Sequence, residues 1–236
     1  MTIVQPSGAV VIGASGGIGR ALLDAVEAGG RFAWAEGLSR RAEGAAHLDL
    51  TDEASIAAAA SRLAARGEVG LVLVATGLLH GPSLAPEKTW RSLDADALAR
   101  AYQVNAVGPA LVAKHFLPLL PRRGKAVFAA LSARVGSIAD NRTGGWYAYR
   151  ASKAALNMLL RTLSIELART RPDAVCVGLH PGTVDTALSR PFQANVARER
   201  LFTAEFAAAR LLDVVEQLTP AESGKLFAWD GQPIPF

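Results

Sequence analysis

The stretch VVIGASGGIGRALLDAV, residues 10–26, places Gly13, Gly17 and Gly19 between an apolar run and a helix-like segment. In a turn from strand to helix, one glycine permits the tight bend. A second lets the backbone approach a ligand phosphate, and a third lets the helix pack close to the sheet. The free N–H groups at the start of the helix attract a pyrophosphate. Since these glycines follow a predicted strand and open a predicted helix, the stretch predicts a dinucleotide-binding turn rather than a purely structural one.

Short apolar runs alternate with longer helix-like stretches along the rest of the chain. Runs that are apolar throughout are typical of parallel strands covered on both faces. The pattern predicts an α/β fold: one Rossmann-like, doubly wound domain over residues 1–236, with about seven parallel strands and helices on both faces. The predicted strands are 9–14, 32–39, 45–50, 71–76, 125–132, 174–180 and 225–230, and the predicted helices are 17–28, 52–66, 94–119, 148–169 and about 203–217.

Local signals mark some of these boundaries. Asp52 and Asp94 lie near helix starts, and Pro118 and Pro121 close the third helix. The segment 186–204 follows a strand and lacks a clear apolar period, so it is either a surface connection or a substrate lid.

The residues after the second predicted strand bear on the choice of dinucleotide. An acidic residue about 20 positions after the glycines would hold the ribose 2′-hydroxyl of NAD. This chain instead has Ser39, Arg40 and Arg41 there. A cation suits a phosphate, so we expect NADP(H) in preference to NAD(H), with Ser39 and Arg40 as contacts. Glu36 would restore NAD only if the second strand ended earlier.

Asp49 and Leu50 end the third predicted strand, within HLDLTD at residues 47–52. We expect both to contact the cofactor, with the carboxylate of Asp49 near the adenine amino group. A helix-capping or turn role for Asp49 is equally open.

The stretch WYAYRASK, residues 146–153, places Tyr149 and Lys153 one helical turn apart on the same face. Taken alone, such a pair is often a solvated helix surface. A phenol with a pKa of about 10 is a poor base at neutral pH, and an ammonium group one turn away stabilises the phenolate. The pair is therefore a candidate acid/base with the cation that tunes it.

The glycine turn at 13–19 and the Tyr-x-x-x-Lys at 149–153, in a chain of this length, together resemble the classical short-chain dehydrogenases/reductases. LVLVATG at 71–77 stands where that family has an Asn-Asn-Ala-Gly strand end. YQVNAVG matches its helical asparagine at Asn105, and HPGTVDT matches its Pro-Gly segment at 181–186. The resemblance covers nearly the whole chain. The GGWYAYRASKAALN region and the WDGQPIPF tail look most similar to the C-factor and sniffer-like carbonyl reductase branch.

The resemblance implies roles for these residues. Tyr149 exchanges the proton at the substrate oxygen, and Lys153 lowers the pKa of Tyr149 and binds the nicotinamide ribose. Asn105 holds a water that links the lysine to solvent, a satisfied buried amide being the alternative. Trp146 either lines the pocket or fills the core. The remaining cofactor contacts implied by the family are Ser15, Ile18, Ala75, Gly77, Pro181, Gly182, Thr183 and Thr186.

The chain departs from the family at the serine that polarises the substrate carbonyl. In LSARVGS, an alignment on Gly136 without a gap places Ala133 at that position, directly after Ser132. A one-residue slip or bulge at the strand end would aim Ser132 into the site. We expect Ser132 to act in preference to Ser137, and a site without a catalytic serine is the third arrangement.

Composition excludes several classes of function. The formal charge is 25 − 21 = +4 with both signs interspersed, so nucleic-acid binding has little support. Cys176, the single cysteine, lies in an apolar run as a small hydrophobe and leaves no internal disulfide. No 18-residue apolar run or export signal occurs, so we expect a cytoplasmic protein without membrane contact. His115 and His180 lack metal-like partners, and no metal is expected.

We therefore expect an NADP(H)-dependent oxidoreductase that interconverts a small-molecule carbonyl and an alcohol, with Tyr149 as acid/base. The alternative is a cofactor-binding sensor or regulatory protein with little or no turnover. Ala133 favours that alternative, whereas Tyr149 and Lys153 argue against it. The family also implies a homodimer or homotetramer through the helices at 94–119 and 148–169. The short C-terminal part leaves little room for a nucleotide-sugar substrate.

Overall fold

The computed structural model describes residues 2–3, 6–81, 84–194 and 196–236, and it confirms the α/β fold. The strands are β1 (Gly8–Ile12), β2 (Trp34–Leu38), β3 (Val69–Val74), β4 (Val127–Leu131), β5 (Val175–His180), β6 (Thr183–Val184), β7 (Leu201–Phe202), β8 (Leu226–Ala228) and β9 (Pro233–Ile234). The helices are α1 (Gly17–Ala28), α2 (Glu53–Ala64), α3 (Ala95–Tyr102), α4 (Gly108–Phe116), α5 (Tyr147–Thr170) and α6 (Ala204–Gln217).

Seven strands form the main sheet in the order β2-β1-β3-β4-β5-β8-β9. All neighbouring pairs are parallel except β8 and β9, which run antiparallel. From β1 the chain first adds β2 on one side and then β3 on the other. Ligands of doubly wound sheets bind at the carboxyl ends of the strands where the order reverses in this way, and here that point lies between β1 and β3.

Alternate side chains of the central strands enter two hydrophobic cores, one on each face of the sheet. Val10 and Ile12 belong to the core that α2, α4 and α5 cover, whereas Ala9 and Val11 belong to the core beneath α1 and α6. Both faces are covered, so the strands carry the continuous apolar runs by which the sequence predicted them.

The predicted strand at 45–50 is wrong. After a helical turn at Gly44–Ala46, this segment makes a single bridge to the sheet, between Ser39 and His47. The side chains of Leu48 and Leu50 are buried in the core, which explains the apolar pattern. The seventh strand of the main sheet is instead β9, in the C-terminal tail.

The predicted helix at 94–119 is a composite of helical segments that together span residues 95–119. Between α3 and α4 the backbone forms a π-helical turn over Gln103–Val107, and a 3₁₀ turn at Leu117–Leu119 ends the element. Asp52 and Asp94 cap α2 and α3, as expected, by accepting hydrogen bonds from Ala54 N at 3.0 Å and Ala97 N at 2.7 Å. Within the described residues, no helix is long and apolar enough to cross a membrane.

The segment 186–204, predicted as either a surface connection or a substrate lid, begins and ends at a small ribbon. β6 and β7 pair in parallel, with Thr183 opposite Leu201. Residues 186–194 and 196–200 extend from this ribbon, while residue 195 lies outside the described residues.

Candidate active site

The glycine turn is packed so closely that side chains would not fit. Gly13 has a φ of +91°, and a Cβ added there would lie 2.8 Å from the carbonyl oxygen of Ala75. A Cβ on Gly19 would lie 2.2 Å from the carbonyl oxygen of Gly13, and one on Gly17 would lie 2.9 Å from the Thr186 methyl carbon. The turn therefore brings together the ends of β1 and β3 and the segment that follows β6.

The N-terminus of α1 is open to an anion. Its N-cap is Gly16, and none of the described side chains caps it, whereas aspartates cap α2 and α3. Unpaired N–H groups at a helix start favour a phosphate ligand. Beside the turn, Thr76 Oγ1 is buried and has no hydrogen-bond partner among the described residues. Ser15 and Ile18 lie in this turn, with Ser15 exposed. These features fit the pyrophosphate of a dinucleotide.

The end of β2 presents a cation and no free carboxylate. β2 ends at Leu38, and Arg40 follows it as an exposed residue. The hydroxyl of Ser39 accepts a hydrogen bond from Ala42 N at 3.2 Å. Glu36 lies inside β2 opposite Val10.

The carboxylate of Glu36 is engaged elsewhere, in ion pairs with Arg62 and Arg66. β2 does not end early, so the arrangement that would return Glu36 to the ribose of NAD does not occur.

Asp49 forms a local turn beside this cation. One carboxylate oxygen, Oδ1, accepts hydrogen bonds from Thr51 N at 2.9 Å and Thr51 Oγ1 at 2.8 Å. Burial acts to raise the pKa of Asp49, but the bonds from Thr51 and the charges of Arg40 and His47 hold it below its ordinary value. Asp49 therefore has the predicted turn role, and its Oδ2 accepts no hydrogen bond from the described residues. Leu50 is 7% exposed, so its side chain belongs to the core.

Tyr149 and Lys153 share one face of α5. The Nζ atom of Lys153 donates a hydrogen bond to Leu131 O, at the end of β4, over 2.7 Å. It also lies 5.9 Å from the centre of the Tyr149 ring. Lys153 is only 2% exposed. The predicted pair is thus assembled at the carboxyl edge of the sheet, within reach of the β1–β3 crevice.

Burial controls the protonation of both groups. It lowers the pKa of Lys153 to about 7 and raises the pKa of Tyr149 to about 12. The lysine was expected to lower the pKa of the tyrosine, but in the protein alone desolvation has the larger effect. Tyr149 is therefore a protonated phenol at neutral pH, which is the state that a proton donor requires.

The side-chain amide of Asn105, which lies in the π-helical turn, forms three hydrogen bonds. Its Oδ1 accepts from Leu78 N at 2.7 Å, and its Nδ2 donates to Leu78 O at 2.8 Å and to Ser152 Oγ at 3.0 Å. The side chain is therefore the satisfied buried amide, and no feature of the structure tests the water-holding role. A Cβ added to Gly77 would lie 3.8 Å from Lys153 Nζ and 3.9 Å from Asn105 Oδ1. Asn105 thus fixes the loop after β3 beside Lys153.

Both candidate serines have hydrogen-bond partners among the described residues, but only Ser132 donates. Ser132 Oγ donates to Asn157 Oδ1 over 2.7 Å and is 4% exposed. Ser137 Oγ accepts from Asp140 N at 3.0 Å and is also buried. Ala133 stands at the start of the next turn in extended conformation. In this arrangement the proton of Ser132 is already used, so the expected role of Ser132 as carbonyl donor has no support.

The Pro181 to Thr186 segment closes the site from the β5 side. Gly182 has a φ of +79°, and a Cβ there would lie 2.6 Å from the Phe202 ring. Thr183 pairs with Leu201, and the methyl group of Thr186 lies over the glycine turn.

The two histidines singled out in the sequence have other surroundings. His115 is in contact with Glu53 at 3.0 Å. His180 Nδ1 is buried without a partner among the described residues, and burial, aided by Arg134 and opposed by Asp230, lowers the pKa of His180 to about 4. Among the described residues no three His, Cys, Asp or Glu side chains come together as metal ligands would.

Comparison with known proteins agrees with this geometry. The model of the short chain dehydrogenase family matches residues 7–197. The chain belongs to this family. This short-chain dehydrogenase is 38% identical over 140 residues to C-signal of Myxococcus xanthus, an alignment that covers 59% of this chain and 78% of the relative.

Two solved carbonyl reductases share the fold. The NADPH-bound carbonyl reductase from chicken fatty liver superposes with a TM-score of 0.85 at 25% identity, covering 100% of this chain and 96% of that one. Carbonyl reductase Sniffer of D. melanogaster gives 0.79 at 21% identity, covering 99% and 100%. The family and the branch predicted from the motifs are both confirmed.

Proposed function

We propose that this short-chain dehydrogenase is an NADP(H)-dependent reductase of small carbonyl compounds, built on a single domain of residues 1–236. The observation that carries the proposal is the Tyr149–Lys153 pair, buried at the end of β4 and facing the crevice beside the glycine turn. On a solvated helix surface such a pair would stay exposed to water, whereas Lys153 is only 2% exposed. In the reverse direction the same residues would serve an alcohol substrate.

The proposed cofactor contacts follow from the geometry. The uncapped N-terminus of α1 binds the pyrophosphate, and Arg40 with Ser39 binds the 2′-phosphate. The free carboxylate oxygen of Asp49, near Arg40, meets the adenine. Chicken carbonyl reductase, with its bound NADPH, agrees with this choice of dinucleotide. The nicotinamide half is bound by residues around the crevice, namely Ala75, Gly77, Lys153, Pro181, Gly182, Thr183 and Thr186.

The dinucleotide and the side chains of the protein have separate roles in the proposed reaction. The bound dinucleotide supplies the hydride. Tyr149 donates its proton to the oxygen of the carbonyl, for which its raised pKa keeps it in the acid form. Lys153 has a pKa of about 7 and exchanges protons readily at neutral pH. It is held in place by Leu131 O. Asn105 and Ser152 fix the wall of the crevice, and Tyr149 binds the carbonyl oxygen without a serine hydroxyl.

A sensor that binds the dinucleotide without turnover is the second candidate, and Ala133 together with the engaged hydroxyl of Ser132 favours it. A panel of aldehydes, ketones and quinones with NADPH separates the two. We expect at least one carbonyl compound to be reduced, whereas tight NADPH binding without turnover on the whole panel would favour the sensor.

We further propose a homodimer or homotetramer paired through α3, α4 and α5, located in the cytoplasm. Met158 and Ile165 of α5 are 67% and 48% exposed, so this helix presents apolar side chains outward. No nucleic-acid or membrane partner is proposed.

A further inference from the structure

Three consecutive residues before α5 adopt left-handed backbone conformations. The φ angles of Gly144, Gly145 and Trp146 are +66°, +65° and +52°. Glycine adopts such angles without strain, but a bulky side chain rarely does. Trp146 is the sole non-glycine residue with a positive φ among the described residues. Core filling does not require this conformation, so the strain at Trp146 needs another explanation.

Glu87 holds Trp146 in this conformation from one side. Its main-chain oxygen accepts a hydrogen bond from Trp146 N over 2.6 Å, and its two carboxylate oxygens accept from Ala148 N at 3.3 and 3.2 Å. Glu87 is 5% exposed although it is an acidic residue. A single buried residue thus fixes both the strained tryptophan and the first turn of α5.

Arg150 fixes the same turn from the other side. Its Nε donates to Gly144 O at 3.2 Å and to Gly145 O at 2.9 Å, while Nη1 donates to Val135 O at 3.2 Å. Strained backbone persists only where its surroundings determine it on several sides, and it is concentrated at functional sites. The left-handed turn meets that condition.

The turn delivers the indole ring of Trp146 to the mouth of the active site. The ring lies edge-to-face with Tyr149, with centroids 6.3 Å apart, and with Phe192, 5.0 Å away. Phe192 belongs to the segment 186–204, and its ring centroid also lies 5.7 Å from that of His80. Trp146 therefore contacts both Tyr149 and this segment.

We propose that Trp146 is a specificity-determining residue whose ring packs against the apolar part of the carbonyl substrate, with Glu87 as the positioning residue that holds it. The inference rests on the proposed reductase function and adds the side chain that selects the substrate. Trp146 forms one wall of the pocket, and Phe192, in the segment 186–204, packs edge-to-face against its ring with centroids 5.0 Å apart and supports it. Substrates with a flat apolar group beside the carbonyl are favoured over small aliphatic ones.

Trp146→Gly separates this role from packing, because glycine accepts the left-handed conformation without strain. We expect an unchanged or higher Tm and an unchanged Kd for NADPH. The KM for an aryl ketone should rise about tenfold or more, since a large apolar contact is lost, while the KM for a small aliphatic aldehyde changes less than about twofold. Trp90→Ala, which removes an exposed tryptophan, is the matched control and should leave all four quantities unchanged.

Two further variants test Glu87. Glu87→Gln retains an acceptor for Ala148 N and should keep the aryl-ketone KM near the wild-type value. Glu87→Ala keeps the main-chain oxygen that accepts from Trp146 N but removes the carboxylate that accepts from Ala148 N. By loosening the first turn of α5 it should raise that KM without changing the Kd for NADPH. Equal KM values for Trp146→Gly and the wild type, or a large fall in Tm without a change in KM, would overturn the inference.

Calorimetric binding of the aryl ketone to the NADP⁺ complex keeps the inference testable without turnover. If the wild type binds the ketone and Trp146→Gly binds it about tenfold more weakly, the role of Trp146 is supported even if no carbonyl is reduced. In that case only the proposed function fails. Absence of ketone binding to the wild type overturns the inference as well.

Discussion

We propose that Arg40, the exposed cation that follows β2, determines the choice of dinucleotide. A guanidinium binds a phosphate with paired hydrogen bonds, and Glu36 is unable to compete because it is paired with Arg62 and Arg66. Arg40→Asp should therefore weaken NADPH binding by about tenfold to a hundredfold and leave NADH binding little changed. Fluorescence titration with both dinucleotides measures this. A wild type that binds NADH as tightly as NADPH would show that Arg40 has no such role.

The serine question also belongs to single residues. Ser132 donates to Asn157, so Ser132→Ala should leave that buried amide oxygen unsatisfied and lower the free energy of unfolding by about 1–3 kcal/mol. Its kcat should fall less than about tenfold, below the loss of about 10²–10³ expected for a donor to the developing oxyanion. Urea unfolding and steady-state kinetics on the same samples separate the two effects.

Ala133→Ser completes this test because it restores the residue that the ungapped alignment requires. An increase in kcat in Ala133→Ser would place a donor at position 133. A fall of a hundredfold in Ser132→Ala, with unchanged stability, would instead return the catalytic role to Ser132.

At the scale of elements, the turn Arg134–Gly136 sets the position of Lys153. A Cβ on Gly136 would lie 2.7 Å from Lys153 Cβ and 2.9 Å from its carbonyl carbon, and the backbone of α5 does not yield easily. Gly136→Ala should lower both stability, by about 1–3 kcal/mol, and kcat. Gly81→Ala is the control, because no atom of the described residues lies within 4 Å of an added Cβ there. Unchanged kcat in Gly136→Ala would show that this close approach does not position the lysine.

Elements with a local signal were predicted from the sequence, and those that depend on distant contacts were not. The glycine turn, the capping aspartates and the Tyr149–Lys153 spacing are all local, and each lies where expected. The apolar run at 45–50 was misread, because burial against neighbouring helices produces the same pattern as a strand. β9 has only two residues and pairs with β8 across a turn, so it is too short to show the hydrophobic periodicity of a strand.

The surroundings of Tyr149 and Lys153 were the least predictable part of the candidate site. Glu87 contacts α5 from about 60 positions earlier in the chain, and nothing in its own neighbourhood marks it. Likewise, Ser132 was expected to face the substrate because the sequence does not reveal that Asn157 takes its proton. Only the pair Gly144–Gly145, as a signal for left-handed backbone, points to the unusual turn before α5.

At the scale of the whole molecule, the proposed assembly depends on the exposed face of α5. Met158 lies in the middle of α5 and is 67% exposed. Met158→Glu should place repelling charges across a two-fold interface and convert the dimer or tetramer to monomers. Sedimentation velocity measures the change, with Met158→Leu as the control. A wild type that sediments as a monomer would contradict the proposed assembly.

The central claim is that Tyr149 donates the proton that completes carbonyl reduction. It is tested most directly by single-turnover oxidation of NADPH in the presence of a reducible carbonyl, comparing the wild type with Tyr149→Phe. The phenylalanine ring retains the packing but has no proton to give, so the rate should fall by about 10²–10⁴ while the Kd for NADPH stays within about twofold. A Tyr149→Phe rate near that of the wild type would contradict the account.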